Sequence, residues 1–145
     1  MTQLVIIHCD GACKGNPGLG GYGAILQYKT ITKTISGVEE NTTNNRMELK
    51  AAIEALKVLK RSCEIEIYTD SLYVQKGITI WIHSWKLKNW KGVKNLDLWK
   101  ELDQLNLRHH ITWHWVRGHS GHDLNEQADE LANFAIENYL KNNKK

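Results

Sequence analysis

Apolar and polar positions along the chain fall into blocks of two different periods. Residues 4–9 (Leu-Val-Ile-Ile-His-Cys) are β-rich and apolar on both faces, the pattern of a central strand. Residues 10–21 are rich in glycine and hold the chain's one proline, Pro17, which is loop chemistry. Residues 22–28 and 31–38 predict two strands joined tightly and therefore antiparallel. From Thr43 the period becomes helical: Glu48, Ala51, Ala52, Ala55, Leu56 and Leu59 share one face, and Thr43 or Asn44 can cap its start. Residues 64–69 (Glu-Ile-Glu-Ile-Tyr-Thr) predict a strand and 72–77 a short helix. Further helices are expected over 81–88, 97–107 and 124–140, with a strand at 111–116. This order predicts an α/β fold, a mixed sheet flanked by helices. The helix at 43–60 acts as the crossover that returns the next strand parallel to one already in the sheet.

Four acids stand out against that pattern. Asp10 falls where the first strand runs out and Asp70 where the fourth does, so parallel neighbours would project both carboxylates from one sheet edge. Glu48 heads the apolar face of its helix, and Asp129 is in line with Ala132, Ile136 and Leu140 on the last one. A carboxylate in line with a core-facing stripe is costly unless something pairs with it. Singly, each acid has an ordinary reading: a turn at Asp10-Gly11, an N-cap at Asp70, a position just off the stripe for Glu48, a helix N-terminal charge for Asp129. Together they form a hard-oxygen set with no cation placed to neutralise all four, which suits Mg²⁺ or Mn²⁺. Several carboxylates holding two such ions is an arrangement used at phosphodiesters.

Composition narrows the classes. At 145 residues, 41% apolar and 24% charged, the chain reads as one globular domain spanning 1–145. No apolar run approaches the ~20 residues of a membrane span, and the first residues lack a secretory pattern. Cys9, Cys13 and Cys63 are odd in number and sparse, which fits free thiols and an intracellular, cytoplasmic setting. Nothing demands a dimer, and a monomer is expected. A serine-hydrolase elbow fails, because Gly118-His119-Ser120-Gly121-His122 lacks the final glycine. The histidines at 109, 110, 114, 119 and 122 are dense, yet they yield no closed zinc set with the usual spacing.

The formal charge of +3 is uninformative as a total. Its distribution is not. Between Ser71 and Leu96 lie Lys76, Lys86, Lys88, Lys91 and Lys94 with no acid, so the rest of the chain is net negative. Trp81, Trp85 and Trp90 interleave with these lysines. Lysines can pair with phosphates while indoles pack on sugars, although Trp81 and Trp85 at i, i+4 also suit a core-facing stripe.

Five motifs in order resemble ribonuclease H type 1: Gly15-Asn16-Pro17-Gly18 with Gly20-Gly21-Tyr22-Gly23-Ala24, Thr43-Asn44-Asn45-Arg46-Met47-Glu48, Thr69-Asp70-Ser71, Trp115-Val116-Arg117-Gly118-His119, and Asn125-Glu126 with Ala128-Asp129. The resemblance runs over nearly the whole chain. It implies a ribonuclease H-like fold with a five-stranded mixed sheet, and an endonuclease cutting the RNA strand of an RNA–DNA hybrid to 5′-phosphate and 3′-hydroxyl ends. It implies that Asp10, Glu48, Asp70 and Asp129 hold two Mg²⁺ ions, with Mn²⁺ as a substitute, and that His119 assists proton transfer or product release. It further implies that Cys13, Asn16, Asn44 and Asn45 meet the minor groove, that Thr43 and Asn95 hold a DNA phosphate, and that Trp81, Trp85, Lys86, Lys88, Trp90 and Lys91 form a basic handle. Leu72 and Asn41 stand where relatives often carry Gln and Arg, and the turn 88–95 is shorter and less basic than in fuller handles. Two other readings share these features: a hybrid-binding module without catalysis, and an integrase-like enzyme on the same acidic sheet edge.

Overall fold

In the computed structural model, which describes residues 4–117 and 123–143, the five strands form one sheet in the order β3-β2-β1-β4-β5. Strand β1 (Leu4–Gly15) pairs antiparallel with β2 (Gly18–Tyr28), which pairs antiparallel with β3 (Ile31–Thr42). Helix α1 (Asn44–Val58) then crosses over, and β4 (Glu64–Thr69) returns parallel to β1. After α2 (Leu72–Lys76), a π-helical turn (Gly77–Trp81), α3 (Ile82–Leu87) and α4 (Leu96–Arg108), strand β5 (His110–Trp115) adds parallel to β4. Helix α5 (Asp123–Asn142) closes the chain. The expected mixed sheet of five strands is present, and so is the crossover.

Three expectations are corrected. The glycine-rich stretch 10–21 is not a loop: β1 runs on to Gly15, and β2 begins at Gly18 across an Asn16-Pro17 hairpin tip. Composition misleads because Gly11, Gly20 and Gly21 are strand positions pressed against helices, and only Gly15 and Gly18 flank the hairpin tip. A Cβ on Gly11 would lie 2.4 Å from the backbone carbon of Met47 in α1, and one on Gly23 would lie 2.7 Å from the carbonyl oxygen of Ala128 in α5. Asp10 accordingly lies inside β1, opposite Gly23; what ends near it is pairing with β4, whose last partners are His8 and Tyr68. The expected gap between helices at 72–77 and 81–88 is also filled, since α2, the π turn and α3 run together. Thr79 donates its hydroxyl proton to the Gln75 carbonyl at 2.6 Å inside that run, while Trp99 packs where a Gly77 side chain would be.

The core lies between the sheet and α1 with α4. Ile7, Leu49, Ile53, Leu56, Ile65, Ile67, Trp99 and Leu102 are completely buried there. The alternation in β4 divides its residues cleanly: Ile65, Ile67 and Thr69 face that core, while Glu64, Glu66 and Tyr68 face the other way. Thr43 caps α1, its hydroxyl oxygen accepting the Arg46 N–H at 3.2 Å. Among the described residues no helix is long and apolar enough to cross a membrane.

The close seat of α5 on β2 carries a measurable consequence. Gly23→Ala forces a Cβ to within 2.6 Å of Leu131 Cβ and 2.9 Å of the Ala132 nitrogen, so α5 must lift. Urea unfolding should show a loss of about 1–3 kcal/mol, the cost of overpacking a rigid contact. An unchanged midpoint would mean that α5 is not held at this distance.

Candidate active site

Parallel pairing of β1 with β4 brings two of the acids together. The register runs from Leu4 opposite Glu64 to His8 opposite Tyr68. Two residues further along are Asp10, still within β1, and Asp70, just past the end of β4. The triplet at the end of β4 fixes the second acid locally. Thr69 Oγ1 accepts the Ser71 N–H at 3.1 Å, and Ser71 Oγ accepts the Val74 N–H at 3.1 Å, capping α2. Asp70 is thus held between a tight turn and a helix start. Trp115 Nε1 donates to the Asp70 carbonyl at 2.9 Å, tying the end of β5 to the same point.

Glu48 comes from α1, close to its first turn. Its approach depends on Gly11, whose bare Cα lets the Met47–Glu48 backbone reach β1. The Gly11 N–H lies 2.8 Å from Glu48 Oε1 and 2.9 Å from Asp10 Oδ1, donating to both. One ligand oxygen from each of Asp10, Glu48 and Asp70 lies within 4.8 Å of the others; among the described residues this is the one such cluster of three or more potential ligands. Asp129, on α5, is the fourth acid and lies outside that tight group. Its charge adds to the electrostatic burden on Asp10. The Asn133 amide donates to Asp129 Oδ1 at 3.2 Å from the next turn.

Burial and mutual repulsion dominate the electrostatics. Asp10 and Glu48 are each only 6% exposed. Burial, followed by the charge of Asp70, pushes the Asp10 carboxyl up to about 8. Burial and then the charges of Asp10 and Asp70 hold the Glu48 carboxyl well above its ordinary range. The two cations near α1 are engaged elsewhere: Arg46 is committed to Asp97 at 2.6 Å, and Lys50 to Glu39 at 3.4 Å and Glu54 at 3.6 Å. Asp70 Oδ1 is buried with no hydrogen-bond partner. An all-oxygen set with an orphaned, buried acceptor fits a hard divalent cation.

The residues expected to touch substrate are distributed around this edge. Asn16, at the hairpin tip, accepts the Asn44 N–H on Oδ1 at 3.1 Å, and Cys13 donates its thiol proton to the Thr42 carbonyl at 3.3 Å. Asn44 and Asn45 are exposed at the start of α1. Asn95 has a positive φ of 57° at the start of α4; its Oδ1 accepts from Arg46 at 3.2 Å and its Nδ2 donates to the Tyr73 hydroxyl at 2.9 Å. Leu72 and Asn41 are exposed.

In the expected handle, Lys88 and Lys91 are exposed, while Lys86 is paired with Asp103 at 2.8 Å and braces α3 against α4. Trp81, Trp85 and Trp90 join Tyr73 and the buried Trp99 in a run of ring contacts with centroids 5.0 to 6.4 Å apart. The i, i+4 indoles therefore do pack on the core, with Trp81 still 39% exposed. His119 and His122 lie outside the described residues. His114 bonds Glu66 at 2.9 Å, well away from any zinc-like set. Sequence reasoning missed Asn133, signalled only by being one turn from Asp129, and the structural use of Ser71 and Trp115.

Comparison with known proteins agrees with this geometry. The family model described as RNase H matches residues 2–137. Ribonuclease H of Francisella philomiragia is 61% identical over 137 residues, covering 91% of this chain and 90% of the relative. Ribonuclease H of Nitrosospira multiformis is 57% identical over 146 residues, covering 97% and 94%. Among solved structures, LC9-RNase H1, described as a type 1 RNase H with the type 2 active-site motif, superposes with a TM-score of 0.89 at 35% identity, over 95% of this chain and 74% of that one. LC11-RNase H1, solved in complex with an RNA/DNA hybrid, shares the fold with a TM-score of 0.73 at 24% identity, over 94% and 99%.

Repulsion in the acidic cluster sets a pH dependence. Because folding raises the Asp10 carboxyl from 3.8 to about 8, its contribution to stability is complete below about pH 4 and is lost as pH rises through 8. In chelator at pH 8, Asp10→Asn should therefore unfold at higher urea than the parent, by on the order of 1–3 kcal/mol, with the gap narrowing towards pH 5. A parent as stable as Asp10→Asn across that range would show that the acids do not strain one another.

Proposed function

Because the chain belongs to the ribonuclease H family, cutting the RNA strand of RNA–DNA hybrids is its activity, and we propose that it does so by a two-metal-ion mechanism at the Asp10–Glu48–Asp70–Asp129 edge. The observation that carries this reading is the convergence of three carboxylate oxygens within 4.8 Å, with an Asp70 oxygen buried and without a hydrogen-bond partner. When bound there, two divalent ions, Mg²⁺ or in its place Mn²⁺, supply water activation and charge stabilisation on both sides of an in-line displacement.

The protein's own part is positioning. The Gly11 N–H holds one oxygen of Asp10 and one of Glu48 at fixed places, so two ligands arrive already oriented. Asp70 is fixed by its turn and by Trp115 on its backbone. The products of this reading carry 5′-phosphate and 3′-hydroxyl ends. His119 is assigned proton transfer on the sequence alone, as an imidazole that titrates near neutrality.

Substrate is gripped on either side of the edge. Distinguishing RNA from DNA requires contact with 2′-hydroxyls, which both donate and accept. Asn16, Asn44 and Asn45, with Cys13 beside them, offer short amides and backbone groups on a shallow surface suited to a minor groove. Thr43 and Asn95 frame the phosphate site on the DNA strand, with the Asn95 side chain already fixed by Arg46 and Tyr73. Lys88 and Lys91 face solvent beyond the tryptophan cluster and reach the backbone further along. Lys86 contributes by bracing the handle through Asp103. The proposed setting is cytoplasmic, and the proposed working form is a monomer of one domain.

Two experiments test the reading. Labelled hybrid, single-stranded RNA, duplex RNA and duplex DNA, each offered with Mg²⁺ and then with chelator, should show cleavage of the hybrid alone and only with metal. Asp10→Asn and Asp70→Asn should lose cleavage by about 10³-fold or more while still binding hybrid. Tight binding by the parent with no cut would leave a binding module instead, and cleavage of duplex DNA would favour the integrase-like reading. Separately, Lys88→Ala with Lys91→Ala should raise KM and lower the salt slope of binding by about 1 for every phosphate that is no longer neutralised, with little change at saturation. An unchanged slope would remove the two lysines from the phosphate surface.

A further inference from the structure

Asp129 differs from the other three acids in how it reaches the site. Asp10 and Asp70 are carried on paired strands and Glu48 is locked by Gly11, whereas Asp129 rides on α5, a helix packed mainly over β2 and β1. Its place relative to Asp10 is decided by whatever sets the helix along the sheet and its carboxylate on the helix. The glycines of β2 set how closely α5 approaches the sheet, and polar contacts beside Asp129 decide where its carboxylate sits.

Two amides on the same face of α5 supply both constraints. Asn125, Asp129 and Asn133 are spaced i, i+4, i+8, one above another. The Asn125 Nδ2 donates to the Tyr68 carbonyl at 3.3 Å, and its Oδ1 lies 2.6 Å from His8 Nδ1. Because the amide nitrogen is committed to a carbonyl, its oxygen is the acceptor and His8 carries its proton on Nδ1. The first turn of α5 is thereby tied to β4 by its backbone and to β1 by a side chain. His8 is 3% exposed and lies two residues before Asp10 on the same face of the sheet. Its ring is stacked on Tyr68 with centroids 4.8 Å apart and planes 9° from parallel, and Tyr68 is stacked in turn on His114 at 4.6 Å and 14°. Three rings from three adjacent strands form a rigid floor directly behind Asp10 and Asp70, and Asn125 is fastened to that floor.

Asn133 acts from the other side. Its Nδ2 lies 3.0 Å from the Asp129 carbonyl and 3.2 Å from Asp129 Oδ1. The bond to the carbonyl alone would be an ordinary amide staple on a helix, and Asn143 makes the same bond to the Tyr139 carbonyl at 2.8 Å. The additional bond to the carboxylate fixes the side-chain rotamer of Asp129. Carboxylates that ligate metals are commonly held by such outer partners, and losing one typically weakens affinity or activity by about 10–100-fold.

We propose that His8, acting through Asn125, and Asn133 are positioning residues for the Asp129 carboxylate, the first setting α5 against the strands and the second setting the carboxylate on α5. This rests on the reading of Asp129 as a metal-holding acid. His8→Phe keeps an aromatic ring to stack on Tyr68 and removes the Nδ1 proton. Asn133→Ala removes the amide and favours the helix. Asn143→Ala is the control, since it removes the same amide-to-carbonyl bond far from the acids. Asp129→Asn is the reference for losing the acid itself.

The measurements are kcat and KM on hybrid, and Mn²⁺ binding to the metal-free protein by calorimetry without substrate. His8→Phe and Asn133→Ala should each lower kcat by about 10-fold with KM within about twofold of the parent, and should weaken Mn²⁺ binding several-fold. Asn143→Ala should match the parent in all three. Parent-like kcat and Mn²⁺ affinity in His8→Phe and Asn133→Ala, beside a disabled Asp129→Asn, would overturn the positioning proposal alone. Full activity in Asp129→Asn would overturn it together with the functional reading beneath it.

Discussion

Carboxylates forced into one another's field, with burial removing the water that would screen them, are the constraint around which this molecule is arranged. Asp10 and Glu48 are nearly inaccessible, Asp70 faces both, and burial is the largest cause of the upward displacement of the two buried carboxyls. Such a group is unfavourable for folding on its own. The rest of the structure has to hold it against its own repulsion. The Gly11 N–H does so directly by donating to two of the acids at once, and the pairing of β1 with β4 up to His8 and Tyr68 sets Asp10 and Asp70 side by side.

Each acid is delivered by a different kind of element, and each delivery depends on something small. A strand register carries Asp10 and Asp70 to one edge. A missing Cβ at Gly11 admits α1, and missing Cβ atoms at Gly21 and Gly23 admit α5. Close packing then makes the geometry stiff, because backbone in contact with backbone cannot relax as a flexible side chain would. The same stiffness reaches the corner where α1 meets α4. Tyr73 accepts from both Asn95 and Trp99, and Asn95 accepts from Arg46, so the corner proposed to meet a DNA phosphate is continuous with the buried aromatic cluster.

Legibility from sequence follows the physical origin of each feature. Helix α1 is readable because its buried face repeats every three to four residues, and the odd acid at its head identifies Glu48 without any coordinates. The Lys–Trp segment is readable as a charge block, yet its two uses cannot be told apart in one dimension. Trp85 and Lys86 carry packing and bracing, while Lys88 and Lys91 remain facing solvent, a division that exists only once α4 lies alongside. The stretch 10–21 misleads because glycine signals turns by composition, whereas here it marks strand positions on which helices rest.

The amino-acid order by itself determined the helical crossover, most of the strands, the presence of four acids on core-facing or sheet-edge positions, and the family to which those motifs belong. Local periodicity and chemical type are properties of neighbours along the chain, and they survive in one dimension. The tertiary structure alone decided that three of the acids meet within a few ångströms, that Asp129 stands slightly apart, and that His8, Asn125 and Asn133 surround its approach. Those relations join residues as distant as His8 and Asn125, and only the pairing of β1 with β4 and the seat of α5 on β2 bring them together.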